Sequence, residues 1–446
     1  MRKSLLVSAI AIAAVGAASP WVMGTIAEDQ YIQSVELIQQ EENEFFKVTG
    51  TSFERGYADS KALIKITYTM PDTEIPPFSF VIESELQHLP ISVTDQGTYF
   101  FEITSKDRIY LEGIPEDMQA FIDEHLGGSL LTGNSHINLL GNGGTELKTH
   151  EVNFEDPDTQ STVQVKPLTI NIDGDMASIN GTAQLNLPSL IIQDQEGSLE
   201  MKAFVIDSTF AQHESGMNTG TSVLNISEMN VFSPAGPINL TNIGLDTVSE
   251  VVNDKLNTKM SYSVAKIQAP FPISAARYDI ELNGLTQKSL EMFEELNEKS
   301  EEFMPASFSN DPFFKDLLEA TLQPGLELNQ EMEISAFGGQ LFADLDVAFT
   351  GVEGVELMQL ASPDLAPKAF KANFIARADN EAILSTPAAP MIAQFIEQGF
   401  VKQTDKEVST EIKLVDGKLT VNEQEIPLES VIQGIMMKMA EDEQVQ

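Results

Sequence analysis

Two cations, Arg2 and Lys3, precede a run of apolar and small residues that carries no charge until Glu28. As a helix, residues 5–26 reach roughly 33 Å, enough to cross a bilayer core. Residues 25–44 keep a helical period beside a polar face, with Ile32, Val35 and Ile38 on one stripe. From Thr49 the period falls to two. KALIKITYTM, TYFFEITS, THEVNF, STVQVKPLTINI, SINGTAQLNL, SLEMKAFVIDST and SVLNISEMNVF alternate apolar with polar positions and are bounded by Gly, Pro, Asn and Asp. Such stretches predict half-buried antiparallel strands, with tight turns at Asp173-Gly174-Asp175 and at Asn180-Gly181. Helical spacing returns in residues 114–126, opened by Pro115 and closed by Gly127-Gly128, and again in 286–304, 311–322, 388–400 and 428–439. Between the last two, EVSTEIKLVDGKLTVNEQEI predicts a hairpin turning at Asp416-Gly417.

The pattern predicts an α+β, β-dominated fold: an N-terminal membrane helix, then long curved antiparallel sheets with a few covering helices. In chain order this means a transmembrane signal anchor over 1–27, a β-rich lobe over 28–285, a helical segment over 286–325 and an α+β lobe over 326–446. Arg2 and Lys3 place the N-terminus on the cytoplasmic side, so everything after residue 26 is exported. The expected topology is single-pass, with the ectodomain outside the cytoplasm. A cleavable signal peptide ending near Ala17, Ala18 and Ser19 is the rival reading. The apolar run continues through Pro20, Trp21, Val22 and Met23, which favours an anchor that stays, with Trp21 at the outer interface.

Charge narrows the partners. All 68 acids and 24 of the 26 Lys and Arg follow residue 27, leaving that part with a formal charge of −44. Such a surface repels phosphates and anionic headgroups, which argues against nucleic acid as a partner. The chain has no cysteine, so disulfides, thiolate metal sites and thiol catalysis are excluded. With 42% hydrophobic residues it has apolar surface enough for a large core.

Candidate chemistry is sparse. The five histidines, His88, His125, His136, His150 and His213, lack the spacing of a zinc site. Asn171, Asp173 and Asp175 begin like a calcium loop, but Met176 and Thr182 stand where that loop needs glycine and glutamate. The chain has no nucleophile elbow, no phosphate loop and no dinucleotide fingerprint, and it calls for no cofactor. Met391, Met436, Met437 and Met439 read as core filling or as an adaptable apolar surface. The most reactive combination is Phe53, Arg55, Gly56, Tyr57 and Ser60. An arginine between two aromatics can stack its guanidinium and grip an anion. In the structural reading, Phe53 and Tyr57 pack inward, Arg55 pairs with an acid and Gly56 makes a bulge.

Several motifs together resemble the YdgA-like family of bacterial envelope proteins. These are Trp21-Val22-Met23-Gly24 at the membrane exit, Ser52-Phe53-Glu54-Arg55-Gly56-Tyr57-Ala58-Asp59-Ser60, and Lys166-Pro167-Leu168. Asn253-Asp254-Lys255 leading to Met260-Ser261-Tyr262-Ser263, and Asp416-Gly417-Lys418-Leu419-Thr420-Val421-Asn422 complete the set. Where that family shows His-Gly-Pro-Phe-Pro, this chain has His88-Leu89-Pro90-Ile91-Ser92. The resemblance implies an anchored envelope protein of mixed α and β structure, located in the bacterial inner membrane, single-pass, with the ectodomain in the periplasm, and brings no catalytic residues. The expected function is non-catalytic, with the inner membrane contacted through residues 5–26 and a lipid, lipoprotein or envelope protein met by the β-rich part. The alternatives are a scaffold acting through its anchor and juxtamembrane helix, and a carboxylate-dependent hydrolase.

Overall fold

The computed structural model describes residues 2–428 apart from 41, 44, 71–75, 95–96, 101, 139–140, 157–158, 176–179, 271, 299–311, 356, 363–364 and 385. For residues 2–19, 37, 92–94, 97, 99–100, 297–298, 358, 361 and 384 it describes the backbone alone. Contacts divide the chain into two compact units, Met1–Ala211 and Gln212–Gln446. The expected lobe 28–285 runs across that division. No polar linker marks it, because long strands continue on both sides.

The first unit opens with helix α1 (Arg2–Gln40). Strands β1 (Phe46–Arg55), β2 (Asp59–Tyr68) and β3 (Phe78–Gln87) follow, then a separate hairpin of β4 (Ile91–Thr94) and β5 (Gly97–Phe100). Next come β6 (Glu102–Glu112), helix α2 (Glu116–His125), β7 (Leu131–Asn138), β8 (Asn142–Lys148), β9 (Val152–Glu155) and β10 (Thr162–Val165). The unit ends with β11 (Thr169–Asp175), β12 (Asn180–Gln193) and β13 (Ser198–Gln212). Antiparallel pairing runs β1–β2–β3–β6–β7–β8–β11–β12–β13, and β10 lies between β9 and the far half of β12.

Three expectations are corrected here. Asp173-Gly174-Asp175 and Asn180-Gly181 are paired strand residues, Gly174 opposite Gly181, and not turns. TYFFEITS splits between β5 and β6, which belong to different sheets. STVQVKPLTINI splits at Lys166-Pro167-Leu168, since proline has no N–H to give the ladder.

The N-terminal helix departs furthest from expectation. Pro20, Met23, Ala27 and Val35 are buried, and Met23 and Ala27 form a core cluster with Ile103 of β6. Of the residues expected inside a bilayer, Pro20, Met23 and Gly24 are therefore buried against protein, while Trp21 and Val22 are exposed. Among the described residues no helix is long and apolar enough to cross a membrane. The membrane helix expected from the sequence has no support in the structure.

The second unit is an up-and-down antiparallel sheet. Its strands are β14 (Asn218–Ser233), β15 (Gly236–Val252), β16 (Lys255–Gln268), β17 (Ile273–Leu285), β18 (Leu326–Ala336), β19 (Gly339–Phe349) and β20 (Phe370–Asp379). β21 (Lys402–Gln403), β22 (Glu407–Val415), β23 (Lys418–Val421) and β24 (Gln424–Ile426) complete it. The 17 residues of β15 extend roughly 56 Å. Helices α3 (Gln287–Glu298) and α4 (Pro312–Thr321) link β17 to β18, and Leu290 of α3 packs on Met217, Leu256 and Leu285. Helices α5 (Asn380–Leu384) and α6 (Ala389–Glu397) follow β20. The helices expected at 114–126, 286–304, 311–322 and 388–400 correspond to α2, α3, α4 and α6, with positions 299–304 and 311 outside the described residues. The hairpin at Asp416-Gly417 is present too, both residues at positive φ (52° and 76°) as a tight primed turn requires. The expected helix 428–439, with Met436, Met437 and Met439, lies outside the described residues beyond its first position.

Candidate functional site

In the first unit α1 lies on the sheet through a joint built from residues distant in sequence. Gly24 leaves room for the His88 ring: a Cβ there would stand 2.8 Å from Cε1. His88 is fully buried. Its Nδ1 is 2.8 Å from the Pro20 carbonyl, which can only accept, so Nδ1 carries the hydrogen. Nε2 is then left to accept from the buried Ser60 hydroxyl at 3.0 Å. Beside this joint Arg55 donates to Glu28 Oε2 at 2.7 Å and Thr25 Oγ1 at 3.1 Å, and its guanidinium lies 5.7 Å from the Trp21 ring centroid.

The structure thus brings together Trp21, Gly24, Arg55 and Ser60, and adds His88. Phe53 packs inward against the α1 cluster, its ring tilted 40° to that of Tyr31 with centroids 5.3 Å apart. Tyr57 is exposed, and the Arg55 guanidinium lies over the Trp21 ring of α1. Gly56 is not at positive φ. It sits in the β1–β2 turn, donating to the Asp59 carbonyl at 2.8 Å, and a Cβ would meet that same oxygen at 2.6 Å.

Between α1 and the sheet lies a groove of about 660 Å³. Ala27, Gln30, Tyr31 and Ser34 form its helical wall. Its floor follows two neighbouring rows of the sheet. One row is Ile103, Ile137, Gly143, Gly174, Gly181 and Phe210, running across six strands. A Cβ at Gly181 would lie 2.5 Å from the Phe210 ring, so the glycine lets the aromatic cover the floor. The Tyr31 hydroxyl donates to the Leu63 carbonyl at 2.8 Å, and burial pushes the phenol's pKa up.

The second row is Leu86, Ser105, Ser135, Thr145 and Ile172. Its two serines, together with Ser84 of β3, gather on Asp107. Ser84 donates to Oδ1 at 2.7 Å, Ser105 donates at 2.9 Å, and Ser135 donates to Oδ2. Thr145 in turn donates to Ser135 at 3.0 Å. Residue-by-residue reading missed this network because its members come from four strands. The signal in the sequence is serine or threonine at inward positions where alternation calls for apolar side chains.

Fold and groove define a β-dominated protein whose first unit holds an apolar groove walled by one long helix. The chain belongs to the family described as "Bacterial protein of unknown function (DUF945)", whose model matches residues 1–429. No match was found among curated proteins or among solved structures.

Proposed function

We propose that this is an exported envelope protein that works without catalysis, holding the apolar part of a lipid or lipid-modified protein in the groove of its first unit. The observation that supports this is the groove: about 660 Å³, floored by Ile103, Ile137, Ile172 and Phe210, within the ~300–1,000 Å³ typical of small-molecule sites. The narrower likeness to YdgA-like envelope proteins and the periplasmic location belong to the same proposal. A carboxylate-dependent hydrolase is less well supported, because the carboxylate behind the groove, Asp107, is engaged by the hydroxyls of Ser84, Ser105 and Ser135.

Tethering through the N-terminal run is part of the proposal, in a form altered by the fold. With Pro20, Met23 and Gly24 buried on protein, residues 5–19 remain. They reach roughly 22 Å as a helix, short of a ~30 Å hydrocarbon core. A tether of that length needs Arg2 and Lys3 to snorkel and the bilayer to thin. The same shortening favours the second reading, cleavage near Ala18, and the N-terminus of the mature protein separates the two.

The groove is tested by saturable uptake of a fluorescent acyl probe by the purified full chain. Ile172→Gln, at a position 42% exposed and so tolerant of a polar side chain, should weaken uptake severalfold without lowering the melting temperature. Absence of saturable uptake, or indifference to Ile172→Gln, would refute the groove as a ligand site.

A further inference from the structure

We infer that the groove sorts amphiphiles by head group, taking an alkyl or acyl chain whose head donates hydrogen bonds and bears no negative charge. This inference rests on the reading of the groove as an apolar-ligand site and names its ligand class.

A hydroxyl has one hydrogen to give and two lone pairs with which to accept. Ser84, Ser105 and Ser135 all spend their hydrogens on Asp107, and Thr145 spends its own on Ser135. Ser84, Ser105, Ser135 and Thr145 all line the groove. What this strip offers a ligand is therefore oxygen lone pairs with a carboxylate charge behind them. An ammonium or hydroxyl head finds acceptors there. A carboxylate or phosphate head finds acceptor facing acceptor and like charge facing like charge, at a half-buried position where screening is weak. No Lys or Arg lines the groove, and His136, Asp175 and Asn180, which also border it, each adjoin a floor residue on their strands and so turn their side chains to the opposite face. Gln30, across the groove on α1, both donates and accepts and does not select.

The strip is also placed to act together with the apolar floor. Ser105 is two residues from Ile103 on β6, and Ser135 two residues from Ile137 on β7. Alternate residues of a strand share a face about 7 Å apart, so one amphiphile reaches both rows, chain on the isoleucines and head on the hydroxyls.

The test uses the full chain in an amphipathic polymer and three photoreactive alkyl probes of equal chain length, ending in an amine, an alcohol or a carboxylate. Labelling of the peptides that carry Ile103 and Ile137 is read by mass spectrometry and normalised to total probe uptake. The amine should label at least about tenfold more than the carboxylate, with the alcohol between. Asp107→Asn should bring amine and carboxylate to within about threefold of each other. Ser105→Ala, which keeps the charge, should lower alcohol labelling and leave the amine preference standing. Equal labelling by the three heads in the unaltered protein, or an amine preference that survives Asp107→Asn, overturns the inference while leaving the groove reading intact. Labelling of neither peptide by any probe overturns the groove reading and this inference with it.

Discussion

His88→Ala should release α1 from the sheet of the first unit while leaving that sheet folded. The ring is fully buried and holds two groups, the Ser60 hydroxyl, 3% exposed, and the Pro20 carbonyl. Truncation orphans the Ser60 hydroxyl, while the Pro20 carbonyl loses its second partner and remains an acceptor within α1. A buried unsatisfied polar group costs roughly 1–3 kcal/mol and the imidazole-sized void adds to that, so about 3 kcal/mol is the expected loss. The neighbouring ion pair cannot compensate. Arg55 and Glu28 are about one-third exposed (32% and 36%), and pairs of that kind contribute roughly 0–1 kcal/mol. The loss falls on helix docking, so the exchange of α1 amides over residues 24–35 should accelerate about 100-fold. Amides of β2 and β3 should change far less. Trp21 is the sole tryptophan and lies beside Arg55, so its fluorescence reports the same event without a label. Unchanged exchange and unchanged Trp21 emission in His88→Ala would refute the assignment of the buried histidine as the tie.

Three further outcomes are expected. Arg55→Ala should lower the unfolding free energy by no more than about 1 kcal/mol, because the ion pair, the hydrogen bond to Thr25 and the cation–π contact it removes are all solvent-accessible; denaturant titration checks this. Gly24→Ala, worth about 1 kcal/mol of helix propensity in its favour, should instead destabilise α1, since the new Cβ meets a His88 ring held at both nitrogens; a stabilised α1 in exchange experiments would contradict the geometry. Asp344 has its pKa raised, chiefly by burial and then by Asp346, so the folded state retains that proton and stability falls as pH rises from the ordinary carboxylate range through the raised value. Asp344→Asn should therefore raise the melting temperature at neutral pH, with the gain fading once the medium is acidic enough to protonate Asp344 in both states.

Periodicity along this chain settled what depends on near neighbours. Alternation marked strands β2, β12, β13 and β14, proline and paired glycines marked the bounds of α2, and Asp416-Gly417 marked a hairpin, because each follows from local sterics and from which face a side chain takes. Charge, in the same way, settled that the surface is acidic. Tertiary structure decided everything that depends on which strands meet. Asn180-Gly181 looks like a turn in isolation, yet Gly181 is a strand residue that makes room for Phe210, twenty-nine positions on. Residues 20–26 read as membrane because they are apolar, and apolarity does not distinguish lipid from a sheet. Packing against Ile103 and the hydrogen bond from His88 to Pro20 do. The cluster of Ser84, Ser105, Asp107, Ser135 and Thr145 was invisible for the same reason: each residue is unremarkable on its own strand, and only antiparallel register across β3, β6, β7 and β8 turns them into one hydrogen-bonded strip on a groove floor.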